Sequence, residues 1–298
     1  MSARLRLGTR GSALALAQAR LVADALGGAD IVPVKTSGDR PAAGGDKARF
    51  VREIELALLA EQVDLGVHSA KDLPSELPEG LGLAGVVARE DPADAYVGEA
   101  RSFGAVAEAA RIGTSSLRRR AQLLAARPDL EVAELRGNVD TRLRRLADGD
   151  FDGIVLAAAG LRRLGREDEI AFPFDPSRMT PAAGQGALAL EARRGDERAA
   201  AAAGGITATT ALVELTAERS AVATLDASCR TPVGVRAALS DRGVLRADGF
   251  VGLPDGSEWI RDTLDGDAGD PAVLGHELAE RMLAAGAGEL LERAHAAA

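Results

Sequence analysis

Short apolar strands alternate with amphipathic helices along the first half of the chain, and this alternation constrains the fold most. Residues 4–9 (RLRLGT) alternate as a strand does, and residues 11–28 follow as a helix with Ser12 as a candidate N-cap. The next strand and its loop span residues 30–39, before an amphipathic helix over residues 48–62. Strands that alternate with helices form βαβ units, so this part predicts an α/β lobe around a largely parallel sheet.

The same pattern restarts after residues 89–97 (REDPADAYV). Residues 110–116 (ARIGTSS) lead into a helix, and further strands are predicted over residues 130–135 and 151–160. This order indicates a second α/β lobe of similar design. The Ala-rich run at residues 198–208, which ends in two glycines before a new helix, marks a boundary after it.

The chain beyond this boundary follows a different pattern. A helix over residues 211–225 precedes three strands joined by Gly/Asp turns, and a final helix is predicted from residue 271 to residue 293. This order predicts a small α+β domain with antiparallel strands. A chain of 298 residues also exceeds the size at which one hydrophobic core usually stops growing, so several domains are expected.

The basic residues are unusual in type and in placement. The net charge is −9, which argues against a general nucleic-acid binder. Three of the 36 basic residues are lysines and all the others are arginines. Between Arg111 and Arg163 the chain has eleven arginines and seven acidic residues, so this stretch is positive within an acidic protein.

The predicted strand-to-helix turns share glycine, hydroxyl groups, free backbone N–H groups and arginine. They are GTRGS (8–12), VHSAKD (67–72), GTSS (113–116), RGN (136–138) and AAGLRR (158–163). Helix N-termini attract negative charge, and guanidinium groups bind carboxylate or phosphate in a bidentate manner. A structural N-cap explains Ser12 and Ser115 or Ser116 at least as well. Several such turns in two lobes nevertheless suggest a ligand with many negative groups.

One turn, HSAKD, combines three ionisable side chains: His68, Lys71 and Asp72. In the structural interpretation, Asp72 caps a turn and Lys71 is a solvated charge. In the functional interpretation, a carboxyl group in a crevice shuttles a proton while neighbouring cations set its pKa. The residues alone leave both interpretations open.

Other chemistries have little support in the sequence. Three dispersed histidines and one cysteine give no metal cluster, and neither a Walker motif nor a G-x-G-x-x-G fingerprint occurs. The lone Cys229 cannot form an intramolecular disulfide and fits a reducing compartment, although a Cys–His dyad stays open. The first residues contain no continuous apolar run like that of a signal peptide. We therefore expect a cytoplasmic protein that does not span a membrane.

Ten segments together resemble the porphobilinogen deaminase (hydroxymethylbilane synthase) family. They follow the family's order from residue 8 to residue 234: GTRGSALALAQA, FVREIE, VHSAKDLP, REDPADAYV, IGTSSLRRRAQLL, LRGNVDTRLRRL, LAAAGLRRLG, PAAGQGALALE, AERS and CRTPVG. A match of this length is far more specific than any single motif.

The resemblance implies an α/β fold with two lobes like those of periplasmic binding proteins, plus a small α+β C-terminal domain. The expected boundaries are residues 1–88 with 187–204 returning for domain 1, 92–181 for domain 2, and 209–298 for domain 3. In this family a cysteine sulfur carries a covalent dipyrromethane primer, and Cys229 matches that position. Four porphobilinogen molecules are added to the primer with loss of ammonia, and water then releases the linear tetrapyrrole.

The resemblance also implies roles for individual residues. Asp72 matches the catalytic carboxyl, which assists loss of ammonia and stabilises the resulting cation. The positions that match holders of the primer's carboxylates are Lys71, Thr114, Ser116, Arg118, Arg119 and Arg142. The positions that match the substrate or growing-chain site are Arg10, Ser12, Arg136 and Arg163, with Gln185 in a loop that faces the same cleft. Arg120, Arg144 and Arg145 have no such counterpart, so a solvated helix face is expected for them.

Two segments depart from the family's pattern. Ala227 and Ser228 stand where many relatives have two glycines before the cysteine, which changes the backbone conformations open to that loop. Residues 40–55 look shorter and poorer in lysine than the family's mobile lid over the cleft. Neither departure removes a residue assigned to catalysis.

The expected partners follow from the family. They are porphobilinogen as substrate, no nucleic acid, no membrane and no metal, with a monomeric protein that hands its product to uroporphyrinogen-III synthase. The main alternative is a non-enzymatic two-lobed binder of small anions. A LysR-type effector domain is a more distant alternative, since no DNA-binding helix-turn-helix is apparent.

Overall fold

The computed structural model describes residues 4–35, 48–227 and 231–296. The chain falls into two compact units, residues 1–90 with 186–213 and residues 91–185 with 214–298. Each unit is described by itself below.

The strands and helices that the sequence predicts are present in the predicted order, and the structure adds four strands that were not predicted, over residues 81–87, 94–98, 172–173 and 188–193. The strands are β1 (Arg6–Arg10), β2 (Asp30–Val34), β3 (Leu65–Ser69), β4 (Leu81–Val87), β5 (Asp94–Gly98), β6 (Arg111–Gly113), β7 (Glu131–Ala133), β8 (Gly153–Ala157), β9 (Phe172–Pro173), β10 (Leu188–Arg193), β11 (Val233–Leu239), β12 (Val244–Gly252) and β13 (Trp259–Asp267). The helices are α1 (Ala13–Ala25), α2 (Ala48–Leu59), α3 (Leu117–Ala126), α4 (Val139–Ala147), α5 (Ala158–Arg163), α6 (Glu197–Gly205), α7 (Thr209–Thr224), α8 (Pro271–Ala284) and α9 (Ala287–Ala296).

The first unit is built on a five-stranded sheet in the order β2-β1-β3-β10-β4. Strand β1 pairs in parallel with both β2 and β3, while β10 runs antiparallel between β3 and β4. Helix α1 begins at the Ser12 cap, whose hydroxyl accepts a hydrogen bond from the backbone N–H of Ala15, as the sequence predicts. Its buried residues Val22 and Ala23 belong to the same apolar cluster as Leu7 and Leu65 of the sheet.

The second unit contains a sheet with a similar plan, in the order β7-β6-β8-β5-β9. Strand β6 is flanked by β7 and β8 in parallel, and β5 pairs antiparallel with β8. In both lobes the first parallel strand therefore lies between the next two parallel strands, and an antiparallel strand follows. These two sheets confirm the predicted α/β class with two lobes of similar design.

The C-terminal part of the second unit is a three-stranded antiparallel sheet, β11-β12-β13, with helices α8 and α9. This arrangement confirms the predicted small α+β domain. The prediction of one final helix was wrong, since α8 ends at Ala284 and α9 begins at Ala287. The break coincides with Gly286, whose φ of 102° lies outside the helical region.

None of the described helices is by itself long and apolar enough to cross a bilayer. The pair α6 and α7 reaches that length and composition only when the two are joined across a bend of 111°.

Helices α7 and α8 approach each other closely at Gly275. A Cβ atom at this position would overlap the backbone carbonyl of Ala217 in α7 and press on the backbone nitrogen of Ala221. Backbone atoms cannot swing aside as a side chain can, so the glycine sets the spacing of the two helices.

We expect Gly275→Ala to destabilise this domain by about 1–3 kcal/mol, because overpacking outweighs the gain in helix propensity. Gly204→Ala in α6 is the matched control, since nothing lies within 4 Å of a Cβ there. Thermal unfolding followed by circular dichroism should show a lower transition temperature for Gly275→Ala alone. Equal transition temperatures for the two variants would contradict the close approach.

Candidate active site

The first lobe brings two of the predicted polar turns to one edge of its sheet. Arg10 ends β1 and Ser12 caps α1, while Lys71 and Asp72 lie in the short 3-10 helix Ala70–Asp72 that directly follows β3. Because β1 and β3 are parallel neighbours, their carboxyl ends meet at the same edge. All four side chains are half-buried. The edge therefore carries one carboxylate among two cations and a hydroxyl group.

The turn that bears Asp72 is held from two sides. The amide nitrogen of Gln18, a buried residue of α1, lies 3.0 Å from the Ser69 hydroxyl, directly before the 3-10 helix. The backbone N–H of Ala70 donates to the Ala187 carbonyl over 3.0 Å. The sequence shows no signal for either contact, because both partners lie far away along the chain.

His68 belongs to the interior of this lobe rather than to the polar edge. Its Nε2 lies 3.1 Å from an oxygen of Glu191 on β10, and Glu191 is 0% exposed. The contact lacks hydrogen-bond geometry, so neither Glu191 oxygen has a hydrogen-bond partner within the described part of the chain. Gly66 provides the space, since a Cβ there would come within 2.7 Å of His68 Nε2. His68 thus lies in the buried interior of the lobe and not among the polar side chains at the edge of the sheet.

A second carboxyl group completes this buried cluster. Glu55 on α2 is buried, and burial is the main cause that raises its pKa above the ordinary value. Repulsion from Glu191 raises the pKa further, while attraction from His68 and Arg52 opposes the change. A proton is therefore retained at Glu55 more readily than at an exposed glutamate.

The second lobe places a hydroxyl-rich turn at the end of its central parallel strand. Thr114 Oγ1 accepts a hydrogen bond from the backbone N–H of Ser116 over 3.2 Å, and Ser116 caps α3 by accepting from the Arg119 N–H over 3.4 Å. Arg142 of α4 donates to the Gly137 carbonyl and lies 3.4 Å from the Ser115 hydroxyl. The structure thus brings together Thr114, Ser116 and Arg142, three of the predicted primer-binding residues.

Arg118 and Arg119 are deeply buried and converge on one carboxylate, that of Asp94. Arg118 donates to the two Asp94 oxygens over 2.7 and 3.3 Å. Arg119 donates from Nε and Nη2 to Asp94 Oδ1 over 2.9 and 2.7 Å. Burial alone would raise the pKa of Asp94, but attraction to the two guanidiniums and their hydrogen bonds hold it well below its usual range. Asp94 is thus ionised throughout the physiological range.

Gln185 also points at Asp94. Its amide nitrogen donates to Asp94 Oδ1 over 2.8 Å and to the Pro92 carbonyl over 2.7 Å, and the side chain is buried. The neighbouring Gly184 N–H donates to Glu218 of α7 over 2.6 Å. The sequence predicts that this loop faces the cleft. In the structure, the Gln185 amide nitrogen donates both of its hydrogen bonds to residues of the second unit.

The remaining predicted residues lie further out. Arg136 is exposed and pairs with Glu134 over 2.7 Å, and Arg163 ends α5 half-buried. The expectation of a solvated face was wrong for Arg120, which donates to the carbonyls of Pro254 and Val132 because the β12–β13 turn packs on α3.

Cys229 lies outside the described residues, and so does much of the 40–55 segment. Asp94, Glu191 and Glu218 are the site residues that sequence reasoning missed. Asp94 stands at the start of an apolar strand in REDPADAYV, and an acidic residue before such a run is the one local signal available. The two arginines that bind Asp94 are 24 and 25 positions away in the sequence, and no local pattern encodes contacts at that distance.

Two family models match the chain. One, described as "Porphobilinogen deaminase, dipyromethane cofactor binding domain", matches residues 5–201, and the other, "Porphobilinogen deaminase, C-terminal domain", matches residues 212–284. Curated relatives named porphobilinogen deaminase are similar over nearly the whole length. The relative from Thermus thermophilus is 46% identical over 292 residues, covering 96% of this chain and 97% of its own. That from Trichlorobacter lovleyi is 43% identical over 300 residues, covering 97% and 96%.

Solved structures of periplasmic domains are more distantly similar. The BvgS VFT2 domain of Bordetella pertussis is 15% identical, with 68% of this chain and 85% of that chain covered and a TM-score of 0.38. The putative sulfonate-binding protein SsuA of Methylobacillus flagellatus is 15% identical, with 71% and 67% covered and a TM-score of 0.39.

We expect Glu55→Gln to stabilise the protein at neutral pH and to have little effect near pH 4. A carboxyl group whose pKa is raised in the folded state contributes its stability at low pH and loses it as pH rises through the folded-state pKa. The glutamine removes the cost of ionising the buried group. The measurement is the transition temperature of each protein at the two pH values.

Glu79→Gln, the same change on an exposed side chain of the same lobe, serves as the control and should shift neither temperature. A stabilisation by Glu55→Gln that is equal at both pH values would contradict the assignment.

Proposed function

The chain belongs to the porphobilinogen deaminase family, and we propose that Asp72 and the polar turns of its two lobes carry the family's reaction. The chain is a transferase of tetrapyrrole and heme biosynthesis. It condenses four porphobilinogen molecules head to tail, with loss of ammonia, on a cysteine-linked dipyrromethane, and releases linear hydroxymethylbilane by hydrolysis. The non-enzymatic anion binder is set aside, because the family is one of enzymes.

The residues of the second lobe suit a dipyrromethane chemically. Each pyrrole ring carries an acetate and a propionate, and the donor set offers hydroxyls, guanidiniums and the N-terminus of α3. We assign the primer's carboxylates to Thr114, Ser116, Arg118, Arg119 and Arg142, with Lys71 from the first lobe. When bound, the group supplies a fixed end with a nucleophilic ring carbon. Cys229 is its proposed covalent anchor, since a thioether survives repeated turnover.

Asp72 is the proposed proton carrier and charge partner. Its carboxylate can accept a hydrogen bond from the ammonium of porphobilinogen, so that ammonia leaves with the bonding electron pair. The positive charge left on the substrate is then stabilised by the same carboxylate. After the new carbon–carbon bond forms, Asp72 can take up the proton that the attacked ring carbon releases. The observation that supports this role is its half-buried place beside Lys71, at the edge shared with Arg10 and Ser12.

We propose that Arg10, Ser12, Arg136 and Arg163 bind the carboxylates of the incoming substrate and growing chain. Arg10 ends β1 and Ser12 follows that strand, near the edge where ligands of α/β sheets bind. Arg136 follows β7, and Arg163 ends the short helix α5 that directly follows β8. Gln185 belongs to the site through its contact with Asp94.

The wider organisation is part of the same proposal. Three sheets support three domains, residues 1–88 with 187–204, residues 92–181 and residues 209–298. We propose a monomeric, cytoplasmic enzyme that hands its product to uroporphyrinogen-III synthase.

The first test is the intact mass of the purified protein. We expect an excess of two linked pyrrole units over the sequence mass, located on the peptide that contains Cys229, and no excess in Cys229→Ala. An unmodified mass in catalytically active protein would contradict the hypothesis that a primer is covalently bound to Cys229.

The second test is Asp72→Asn. We expect this variant to retain the mass excess but to lose at least about a hundredfold in turnover, the usual contribution of a general acid–base group. Asp24→Asn, on an exposed face of α1 in the same lobe, should keep normal turnover. Near-normal product formation by Asp72→Asn would refute its role.

A further inference from the structure

Two neighbouring guanidinium groups are buried side by side in the second lobe. The side chains of Arg118 and Arg119 are 4% and 6% exposed, and that of Asp94 is 0% exposed. Arg118 also donates to the Thr180 carbonyl over 2.7 Å, and Arg119 to the Val155 carbonyl over 2.9 Å. These carbonyls and one carboxylate fix both planar groups in direction.

The charges of this cluster do not balance. One carboxylate faces two guanidiniums, so among the contacts of the described residues one positive charge is left over. Each guanidinium has five N–H donors, and each uses three of them in these contacts. A buried cluster that has a surplus positive charge and unused N–H donors can bind an additional anion, such as a carboxylate.

Stability alone gives a poor reason for such a cluster. Taking charges out of water is costly, and well-packed apolar residues of the same volume often stabilise a protein equally well or better. Burial lowers the pKa of Arg119, and the Arg118 charge beside it acts in the same direction, while Asp94 opposes both. Asp94 is thus the group that keeps the two cations side by side.

Asp94 is itself oriented by the loop that contains Gly184 and Gln185, and this loop also contacts helix α7. Gln185 donates to Asp94 Oδ1 over 2.8 Å. One residue earlier, Gly184 donates to Glu218, whose other oxygen accepts from the Ala237 N–H over 2.8 Å. Helix α7 and strand β11 therefore fix the loop, the loop fixes Gln185, and Gln185 fixes Asp94.

We propose that Asp94 is a positioning residue for the primer site, with Gln185 as its support. It holds Arg118 and Arg119 in one direction and leaves one positive charge for a primer carboxylate. This inference rests on the proposed function, which assigns those arginines to the primer. Asp94 touches neither substrate nor primer in this role and acts through the two guanidiniums.

The test is the rate at which apo-protein, made in cells that produce no porphobilinogen, acquires the two-pyrrole mass excess when porphobilinogen is added. We expect Asp94→Asn to slow this incorporation at least tenfold, since the neutral amide releases the two cations from their fixed direction. Intact-mass spectrometry over time gives the rate, and circular dichroism gives the transition temperature of each apo-protein.

Asp64→Asn is the matched control. Asp64 is a buried carboxylate of the first lobe that binds Arg6 over 2.8 Å, so its loss should lower the transition temperature without slowing incorporation. If the role of Asp94 were only structural, Asp94→Asn would likewise lower the transition temperature without slowing incorporation. Incorporation by Asp94→Asn at the wild-type rate would overturn the proposal.

Gln185→Met decides the matter if Asp94→Asn yields no folded protein. It removes the hydrogen bonds to Asp94 and to the Pro92 carbonyl and keeps every charge. Because only the bond to Asp94 bears on the two guanidiniums, we expect incorporation to slow by a smaller factor, about threefold to tenfold. Wild-type incorporation by Gln185→Met in that case would overturn the proposal. A wild-type protein that acquires no mass excess would instead overturn the proposed function itself, and this inference with it.

Discussion

Burying two guanidinium groups side by side costs free energy that a fixed negative charge must offset, and Asp94 supplies that charge in the second lobe. Its carboxylate joins strand β5 to two consecutive residues of α3 and to the loop that carries Gln185. The carboxylate thereby sets the direction of the two arginines at the start of α3. Through Gln185 it also contacts the loop that binds Glu218 of α7. All of these contacts depend on a single ionised group.

The two lobes use one plan for two different tasks. In each sheet the first parallel strand lies between the next two, so the polar turns that follow them meet at one edge. The first lobe puts a half-buried carboxylate at that edge, suited to handling protons. The second puts hydroxyls and guanidiniums there, suited to holding carboxylates. In the proposed reaction, the carboxylate that handles protons lies in the first lobe, while most of the groups assigned to the primer lie in the second.

Local patterns in the sequence were enough for much of this description. The Ser12 cap, the order of the predicted elements and the polar turns follow from residues close together in the chain. The same holds for a cap of α3 by Ser115 or Ser116, of which the structure uses Ser116. The pairing of Arg118 with Asp94 and of His68 with Glu191 could not be predicted, because each joins residues on different strands or helices far apart in sequence. The break at Gly286 was missed because the apolar pattern continues across it. Arg120 was misjudged because a distant turn covers its helix face.

Strand β10 has a consequence for the order in which the lobes form during synthesis. It occupies an inner position of the first sheet, between β3 and β4, yet it is made after every strand of the second sheet. The second sheet is drawn from one continuous stretch of chain, whereas the first must wait with an open edge on β3 until residues 188–193 leave the ribosome. The lobe that is translated first is therefore the one that is finished last.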